Sequence, residues 1–474
     1  MPVIYPFSTI NSNDPEWAVV FCGDWAPFGE QAQAVSRNSA QYYGDLLPVI
    51  QDANLAVLNL EGVISAGKPG ALVPILKDGI SLCFPAEVIQ GLTAAPFKLA
   101  CLANNHSMDY GIEGLQETQA ILTQHGIHSI GAGKTQAEAM QAAYYTFGSA
   151  RVAILNVAEG EEARAVNGGA GVAPFDFASL REQLQTLRAE SDVRIVVAHA
   201  GREHLPVPAP YLRGWYRALV EAGATLVIGH HPHMPQGFEI YQGAPVAYSL
   251  GNFALYIAKS LPYHTLGYFL KSRFQGRELK AVELWPYRIE ADHLALLKGE
   301  EMERFQRDFH DLSSLITEGD RLERLWEAYA DQWLALSGLN ELTEGLAQIG
   351  QGRQMLQAVF KEAQLRLSGK RLDQRLLRKL LHFIIRRLER DLPMDFNQRF
   401  NAPQVGRGAA VLRNRFDTAA HRELYLLALE RVMNHQIGSA PAWAYQQLEK
   451  WFQGVKIING PTTAAPTNVT RSTP

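Results

Sequence analysis

Three histidines fall within four residues at Gly229-His230-His231-Pro232-His233, out of 14 in the whole chain. The cluster directly follows an apolar run, Ala224-Thr225-Leu226-Val227-Ile228. An apolar run ending in a polar cluster reads as a buried parallel strand whose C-terminal end opens into a loop. Open α/β sheets gather their ligands at that end. Neutral imidazole is a common ligand for borderline divalent metals, so His231 and His233, in a His-x-His arrangement, are first read as part of a metal site.

Four further apolar runs end in similar chemistry. Trp17-Ala18-Val19-Val20-Phe21-Cys22 leads to Gly23-Asp24, and Leu55-Ala56-Val57-Leu58 leads to Asn59-Leu60-Glu61. Phe97 to Leu102 leads to Asn104-Asn105-His106, and Val193 to Val197 leads to His199. Turn chemistry accounts for Asp24 or Asn59 taken singly, because Asp and Asn favour turns. It does not account for His106, His199, His231 and His233 arriving at the same end of successive strands. These strand ends therefore offer Asp24, Asn59, Glu61, Asn104, Asn105, His106, His199, His231 and His233 as ligand-type residues.

The ordered set Gly-Asp, Asn-Leu-Glu, Ala-Asn-Asn-His, His-Ala-Gly-Arg-Glu, Gly-His-His-Pro-His and Ser-Leu-Gly-Asn-Phe resembles the capsule synthesis protein CapA family. That family is similar in fold to the calcineurin-like metallophosphoesterases. The resemblance runs from about Val19 to about Tyr256. It implies a two-sheet αββα sandwich, with two sheets face to face and helices outside. It also implies one metal held by Asp24, Glu61 and His233 and another held by Glu61, Asn105, His199 and His231. Two positions depart from the metallophosphoesterase pattern. Asp24-Trp25-Ala26 stands where Asp-x-His is usual, and Glu61 replaces the bridging aspartate. The first ion is left with three protein ligands, so one ion or two remain open. Oxygen and imidazole donors without thiolate suit manganese, iron, zinc or magnesium.

The same resemblance puts His106 at the scissile bond as a proton donor, a role suited to imidazole. The alternative is that His106 caps the helix beginning near Gly111. Asp109 either orients His106 or binds backbone amides at the helix start. Arg202 either grips an anionic group or is a solvated loop charge. Glu203 reads as an outer partner, as does His230. Asn252 orients a ligand or makes a turn, and His204 and His264 take no role. The function implied is a metal-dependent hydrolase acting on a phosphoester or related anionic bond in capsule, poly-γ-glutamate or cell-envelope metabolism. The alternative is a non-catalytic accessory protein that binds an anionic polymer or partner through a degenerate metal site.

These side chains must be positioned by the elements around them. Gly111 to His125 carries Ile112, Leu115, Thr118, Ile121 and Leu122 on one face and predicts a helix stopped at Gly126. Asp176 to Ala189 and Pro210 to Ala222 repeat the helix-then-strand rhythm, which predicts an α/β fold with a mainly parallel sheet. Gly237 to Tyr241 and Pro245 to Ser249 read as a hairpin, and Leu266 to Phe274 with Leu279 to Tyr287 as another.

At 474 residues two domains are expected. The α/β part is placed at 15–292. Helical periodicity dominates afterwards, in Arg321 to Leu336, Gln354 to Leu367, Leu372 to Leu388 and Leu424 to Met433, which predicts an all-α domain of unknown role at 295–457. Pro403 lies in an irregular stretch there. The tail 460–474 is expected to be disordered. The stretch 370–391 holds eight Lys or Arg against three acids. It reads either as a surface touching anionic membrane or protein, or as a bundle helix with a solvated basic face; neighbouring helices that need a partner favour the second. Net charge is −4, which gives no pull toward nucleic acid. Cys22, Cys83 and Cys101 are expected to be small core residues. Neither a signal peptide nor a membrane-spanning run is visible, and a cytoplasmic location is expected.

Overall fold

The computed structural model describes residues 2–7, 13–67, 71–75, 77, 79–95, 97–159, 163–165, 168–257, 263–333, 419–434 and 436–452. The N-terminal part runs β1 (Val3–Pro6), β2 (Glu16–Trp25), α1 (Glu30–Arg37), α2 (Ser39–Tyr43), α3 (Leu47–Gln51), β3 (Leu55–Leu60), β4 (Val63–Ser65), β5 (Cys83–Pro85), α4 (Ile89–Ala94), β6 (Leu99–Cys101), α5 (Gly111–Gln124) and β7 (His128–Ile130). It continues through β8 (Ala132–Gly133), α6 (Gln136–Ala139), β9 (Ala143–Phe147), β10 (Ala150–Ala158), β11 (Gly171–Val172), α7 (Phe177–Glu190), β12 (Val193–His199), α8 (Pro210–Ala222) and β13 (Leu226–His230). Then come β14 (Phe238–Tyr241), β15 (Ala244–Ala247), β16 (Asn252–Ala254), β17 (Leu266–Gln275), β18 (Glu278–Ile289), β19 (Leu294–Leu296) and α9 (Gly299–Thr317). The described C-terminal helices are α10 (Arg321–Trp333), α11 (Ala419–Met433) and α12 (Ala442–Trp451).

Two mixed sheets form the frame. The first has the order β1-β18-β17-β2-β3-β6-β7, with β16 beside β2 and β19 beside β18; the second has the order β14-β15-β13-β12-β10-β9. Strands β2, β3, β6 and β7 are mutually parallel, as are β10, β12, β13 and β15. The period-2 alternation of β2 explains the layering. Val20 and Cys22 face helices α1 to α5 together with Leu58, Ala100, Tyr43 and Leu122. Val19 and Phe21 face the other sheet and pack with Val57, Ile154, Ile195 and Ile228. With both faces covered, the parallel strands are apolar throughout, which is why they appear as unbroken runs in the sequence. Helices α7 and α8 cover the second sheet with Leu180, Leu184, Leu187, Leu212, Tyr216 and Leu219. The result is the expected αββα sandwich.

Local signals are met closely. Asp176 caps α7 by accepting from Ser179 N–H. Gly223 ends α8 in the left-handed region. The hairpin β14–β15 turns through Gln242 and Gly243 at φ 48° and 82°, as a type I′ turn requires. Strands β17 and β18 form the second expected hairpin. Cys83 departs from expectation. It is exposed, whereas Cys22 and Cys101 are buried. Alternation on the short β5 turns Phe84 inward and Cys83 outward.

The chain divides into two compact units, Met1–Ile75 with Ser81–Leu322, and Leu76–Ile80 with Glu323–Pro474. Helix α9 lies beyond the compositional change near residue 295, yet it belongs to the α/β unit: Met302, Phe305 and Phe309 join the core between the sheets. In the second unit, Arg431 and Asp331 form a buried bidentate pair at 2.7 and 2.9 Å, which Gly438 N–H and the Tyr445 hydroxyl complete. The sequence readings at 354–367, 370–391, Pro403 and 460–474 fall outside the described residues. Among the described residues no helix is long and apolar enough to cross a membrane.

Candidate metal centre

Glycines stand just before the polar ends of two of the ligand-bearing strands, β2 and β13. A Cβ on Gly23 would meet Gly251 O at 2.1 Å, and a Cβ on Gly229 would meet Tyr248 O at 2.0 Å. Only glycine permits these approaches. The β2–β3 register shifts between Cys22 and Asp24, a bulge at Gly23 that re-aims the following side chain. Asp24 is thereby turned into the molecule, with 0% exposure. Parallel register then sets His199 on β12 opposite His230 on β13.

Six residues converge at these strand ends. Ligand atoms of Glu61, His199 and His231 all lie within 4.8 Å of one another, and so do those of Asp24, Glu61 and His233. Glu61 belongs to both groups. His199 Nε2 is 3.6 Å from Glu61 Oε1, 2.9 Å from Asn105 Oδ1 and 3.0 Å from His231 Nδ1. His233 Nε2 is 3.8 Å from Glu61 Oε1, and His233 Nδ1 is 3.4 Å from Asp24 Oδ2. All six side chains are buried.

The electrostatics fit a cation. Burial, reinforced by the neighbouring His231, holds the His199 imidazole well below its ordinary range. Burial likewise pushes His231 down to about 4, against the pull of Glu203. Both are therefore neutral near pH 7, the form that binds metals. Burial also opposes charge on His233, yet the Glu61 and Asp24 carboxylates raise it to about 10. Burial opposes the Asp24 carboxylate too, but hydrogen bonds from His230 and His233 bring it well below the usual carboxylate range. Two carboxylates thus draw positive charge to the place where the donors meet. The donor set, oxygen and imidazole without thiolate, fits a divalent cation.

Partners outside the ligand set hold it in place. His230 Nδ1 donates to Asp24 Oδ1 at 2.9 Å, so His230 is an outer partner. Asn252 Oδ1 lies 2.9 Å from His233 Nδ1 and orients that ring. Asn59, readable in the sequence as a turn residue, donates from Nδ2 to Asp24 Oδ1 at 2.9 Å and lies 3.2 Å from His199 Nδ1. Asn104 fixes Asn59 by donating to its Oδ1 at 3.2 Å and to Leu60 O at 2.8 Å. Glu159, which no sequence motif marked, accepts from Gly201 N–H at 3.2 Å and from the Tyr211 hydroxyl at 2.7 Å, bracing the loop after His199. Its signal is weak, because its partners lie 42 and 52 residues away. His231 and His233 adopt φ of 98° and 57°, a left-handed conformation costly for non-glycine residues. Such strain gathers at functional sites.

His106 is buried, with Nδ1 2.7 Å from Asp109 Oδ2. Asp109 therefore orients His106 and also accepts from Leu82 N–H at 2.6 Å. Helix α5 has Tyr110 at its N-cap, whose own side chain makes no capping hydrogen bond. Arg202 is 6% exposed, which excludes the solvated-loop reading. Burial pushes the neighbouring His204 imidazole down to about 4 against the pull of Glu203, and the charges of His233 and Arg202 add to the lowering.

A two-sheet α/β sandwich with a shared carboxylate between two His/Asp/Glu groups at its strand ends fits a class of protein built to bind divalent metal. Within that class, the chain belongs to the family described as bacterial capsule synthesis protein PGA_cap, which matches residues 18–256. It is 31% identical over 170 residues to the PGA biosynthesis protein CapA of Bacillus subtilis (strain 168), covering 35% of this chain and 45% of that one. It is 29% identical over 180 residues to the capsule biosynthesis protein CapA of Bacillus anthracis, covering 37% and 44%. A Mycobacterium tuberculosis protein named "Probable polyglutamine synthesis accessory protein" is 30% identical over 227 residues, covering 44% and 58%. The chain spans about half the length of the curated relatives it matches. Among solved structures, a phosphatase of Mycoplasma pneumoniae superposes with a TM-score of 0.37 at 14% identity, over 62% of this chain and 99% of that one.

Proposed function

We propose that this protein is a metal-dependent hydrolase acting on a phosphoester or related anionic bond in capsule, poly-γ-glutamate or cell-envelope metabolism. The observation that carries the reading is Glu61, shared between the group with His199 and His231 and the group with Asp24 and His233. Divalent cations bound there would supply Lewis-acid stabilisation of charge developing on the reacting group. Asn105, His199 and His231 would hold one side of that arrangement, and Asp24 and His233 the other. His106 would give its proton to the leaving oxygen, with Asp109 fixing the ring so that one nitrogen faces the substrate. Arg202, buried beside His204, is suited to pairing with an anionic substrate group. The family description and the names of the relatives favour an anionic polymer or its precursor as the substrate.

One observation favours a second reading. The sequence Asp24-Trp25-Ala26 offers no imidazole at the first strand end, and one relative is named as an accessory protein. On that reading the centre binds an anionic polymer without cleaving it. The deciding experiment is turnover of an aryl phosphate ester by the full chain reconstituted with manganese, zinc, iron or magnesium. Turnover with any of them supports the hydrolase. No turnover with all four, together with retained metal and measurable polymer binding, supports the accessory protein.

A further inference from the structure

Asn156 interrupts the apolar run from Val152 to Ala158 on β10 and is 3% exposed. Strand alternation puts it on the same face as Val152 and Ile154, which packs against the first sheet. A carboxamide buried in that layer is costly unless both its ends are hydrogen-bonded. Both are: Oδ1 accepts from Ala103 N–H at 2.7 Å, and Nδ2 donates to Val197 O at 3.2 Å. A donor on one side and an acceptor on the other leave the amide a single orientation. Gly131 makes the room, since a Cβ there would lie 2.0 Å from Asn156 Oδ1 and 2.7 Å from Ala103 N.

The two partners of Asn156 belong to different sheets and occupy equivalent places. Ala103 follows β6 of the first sheet and stands two residues before Asn105. Val197 lies on β12 of the second sheet and stands two residues before His199. Asn156 therefore joins the two segments just before each presents a donor atom, and those atoms, Asn105 Oδ1 and His199 Nε2, are 2.9 Å apart. On its other side the loop is tied within the first sheet, where Asn104 Nδ2 donates to Leu60 O at 2.8 Å. Its internal bonds are local: Asn104 N–H donates to Leu102 O at 2.9 Å, and His106 N–H donates to Asn104 Oδ1 at 3.0 Å. These fix the shape of the loop, whereas Asn156 fixes its distance from the second sheet.

We propose that Asn156 is a positioning residue of the metal centre. By tying Ala103 to Val197 it sets the spacing at which Asn105, from the first sheet, and His199, from the second, offer their donors to one ion. This rests on the metal-centre reading above and deepens it, because it names the side chain that keeps the two sheets in register where the donors meet. Outer partners of this kind act on geometry without touching the ion.

The test is a cobalt(II) titration of the metal-depleted full chain. Bound ion is counted by equilibrium dialysis, its coordination is followed by visible absorption, and folding is followed by circular dichroism. Asn156→Leu keeps nearly the same size and removes both hydrogen bonds. It should bind cobalt at least 10-fold more weakly than the wild type, and at saturation its absorption band should be altered. Arg194→Ala is the control. It removes hydrogen bonds to Gly223 O at 2.7 Å and Ser191 O at 2.6 Å from the opposite end of β12, and should bind cobalt as the wild type does. If Asn156→Leu does not fold, Asn156→Ser, too short to span both partners, decides by the same measurements. Wild-type affinity and an unchanged band in the folded Asn156 variant overturn the proposal. An equal loss in Arg194→Ala also overturns it, since loosening the second sheet anywhere would then suffice. A wild type that binds no cobalt overturns the metal-centre reading itself.

Discussion

His106 is the side chain whose chemistry separates catalysis from binding. Asp109 holds its Nδ1 at 2.7 Å, and it is not a member of either ligand group. His106→Asn should leave metal content unchanged and lower turnover of an aryl phosphate ester by about 10²- to 10⁴-fold. Unchanged turnover would remove it from the mechanism. The ligand candidates were legible one residue at a time, because each stands just past an apolar run. Their supports were not. Asn59 acts on Asp24 and His199, residues 35 and 140 positions away, and His230 acts on an aspartate 206 positions away. No local spacing encodes such pairs. Arg202 could be read as a loop charge because burial is a property of the folded loop rather than of its composition. His204 and His264 carried no signal for the same reason: they meet only after 60 residues of chain have folded between them.

At the scale of elements, the glycines that precede the ligands do as much as the ligands. Gly23→Ala would drive a Cβ into Gly251 O, so β2 and the segment before β16 must separate. We expect a loss of about 1–3 kcal/mol in denaturant unfolding, as for other overpacked sites. Metal affinity should fall with it, because Asp24 follows directly. Wild-type stability and metal affinity in this variant would contradict the bulge as the aiming device. In the helical unit, Arg431→Ala leaves Asp331 buried beside Tyr445 without its bidentate partner. That should cost about 3–5 kcal/mol, read as a lowered melting temperature of the second unit. Strands and helices themselves were largely legible, since long apolar runs, the Asp176 cap and Gly223 are local signals. The exposure of Cys83 was not, because a three-residue strand gives too little alternation to reveal which side faces the core.

At the scale of the molecule, composition marks a change near residue 295, but packing continues past it. Met302, Phe305 and Phe309 on α9 fill the core between the sheets. A chain ending at Leu322 should fold and keep its metal. A chain ending at Arg288 loses three large apolar side chains from that core, each worth about 1.5–3 kcal/mol of burial, and should unfold at lower denaturant or remain insoluble. Equal stability of the two would mean that α9 is dispensable. Such a boundary escapes a composition-based reading because an amphipathic helix has the same periodicity whether it covers a sheet or another helix.

The central claim is that the strand ends of the sandwich hold divalent metal. Elemental analysis of the full chain, purified without chelator and then reconstituted with manganese or zinc, tests it most directly. At least one ion per chain is expected, with a sharp loss in His231→Ala but not in His128→Ala, whose side chain is exposed on β7. Well under one ion per folded chain after reconstitution, or equal retention by both variants, would contradict it.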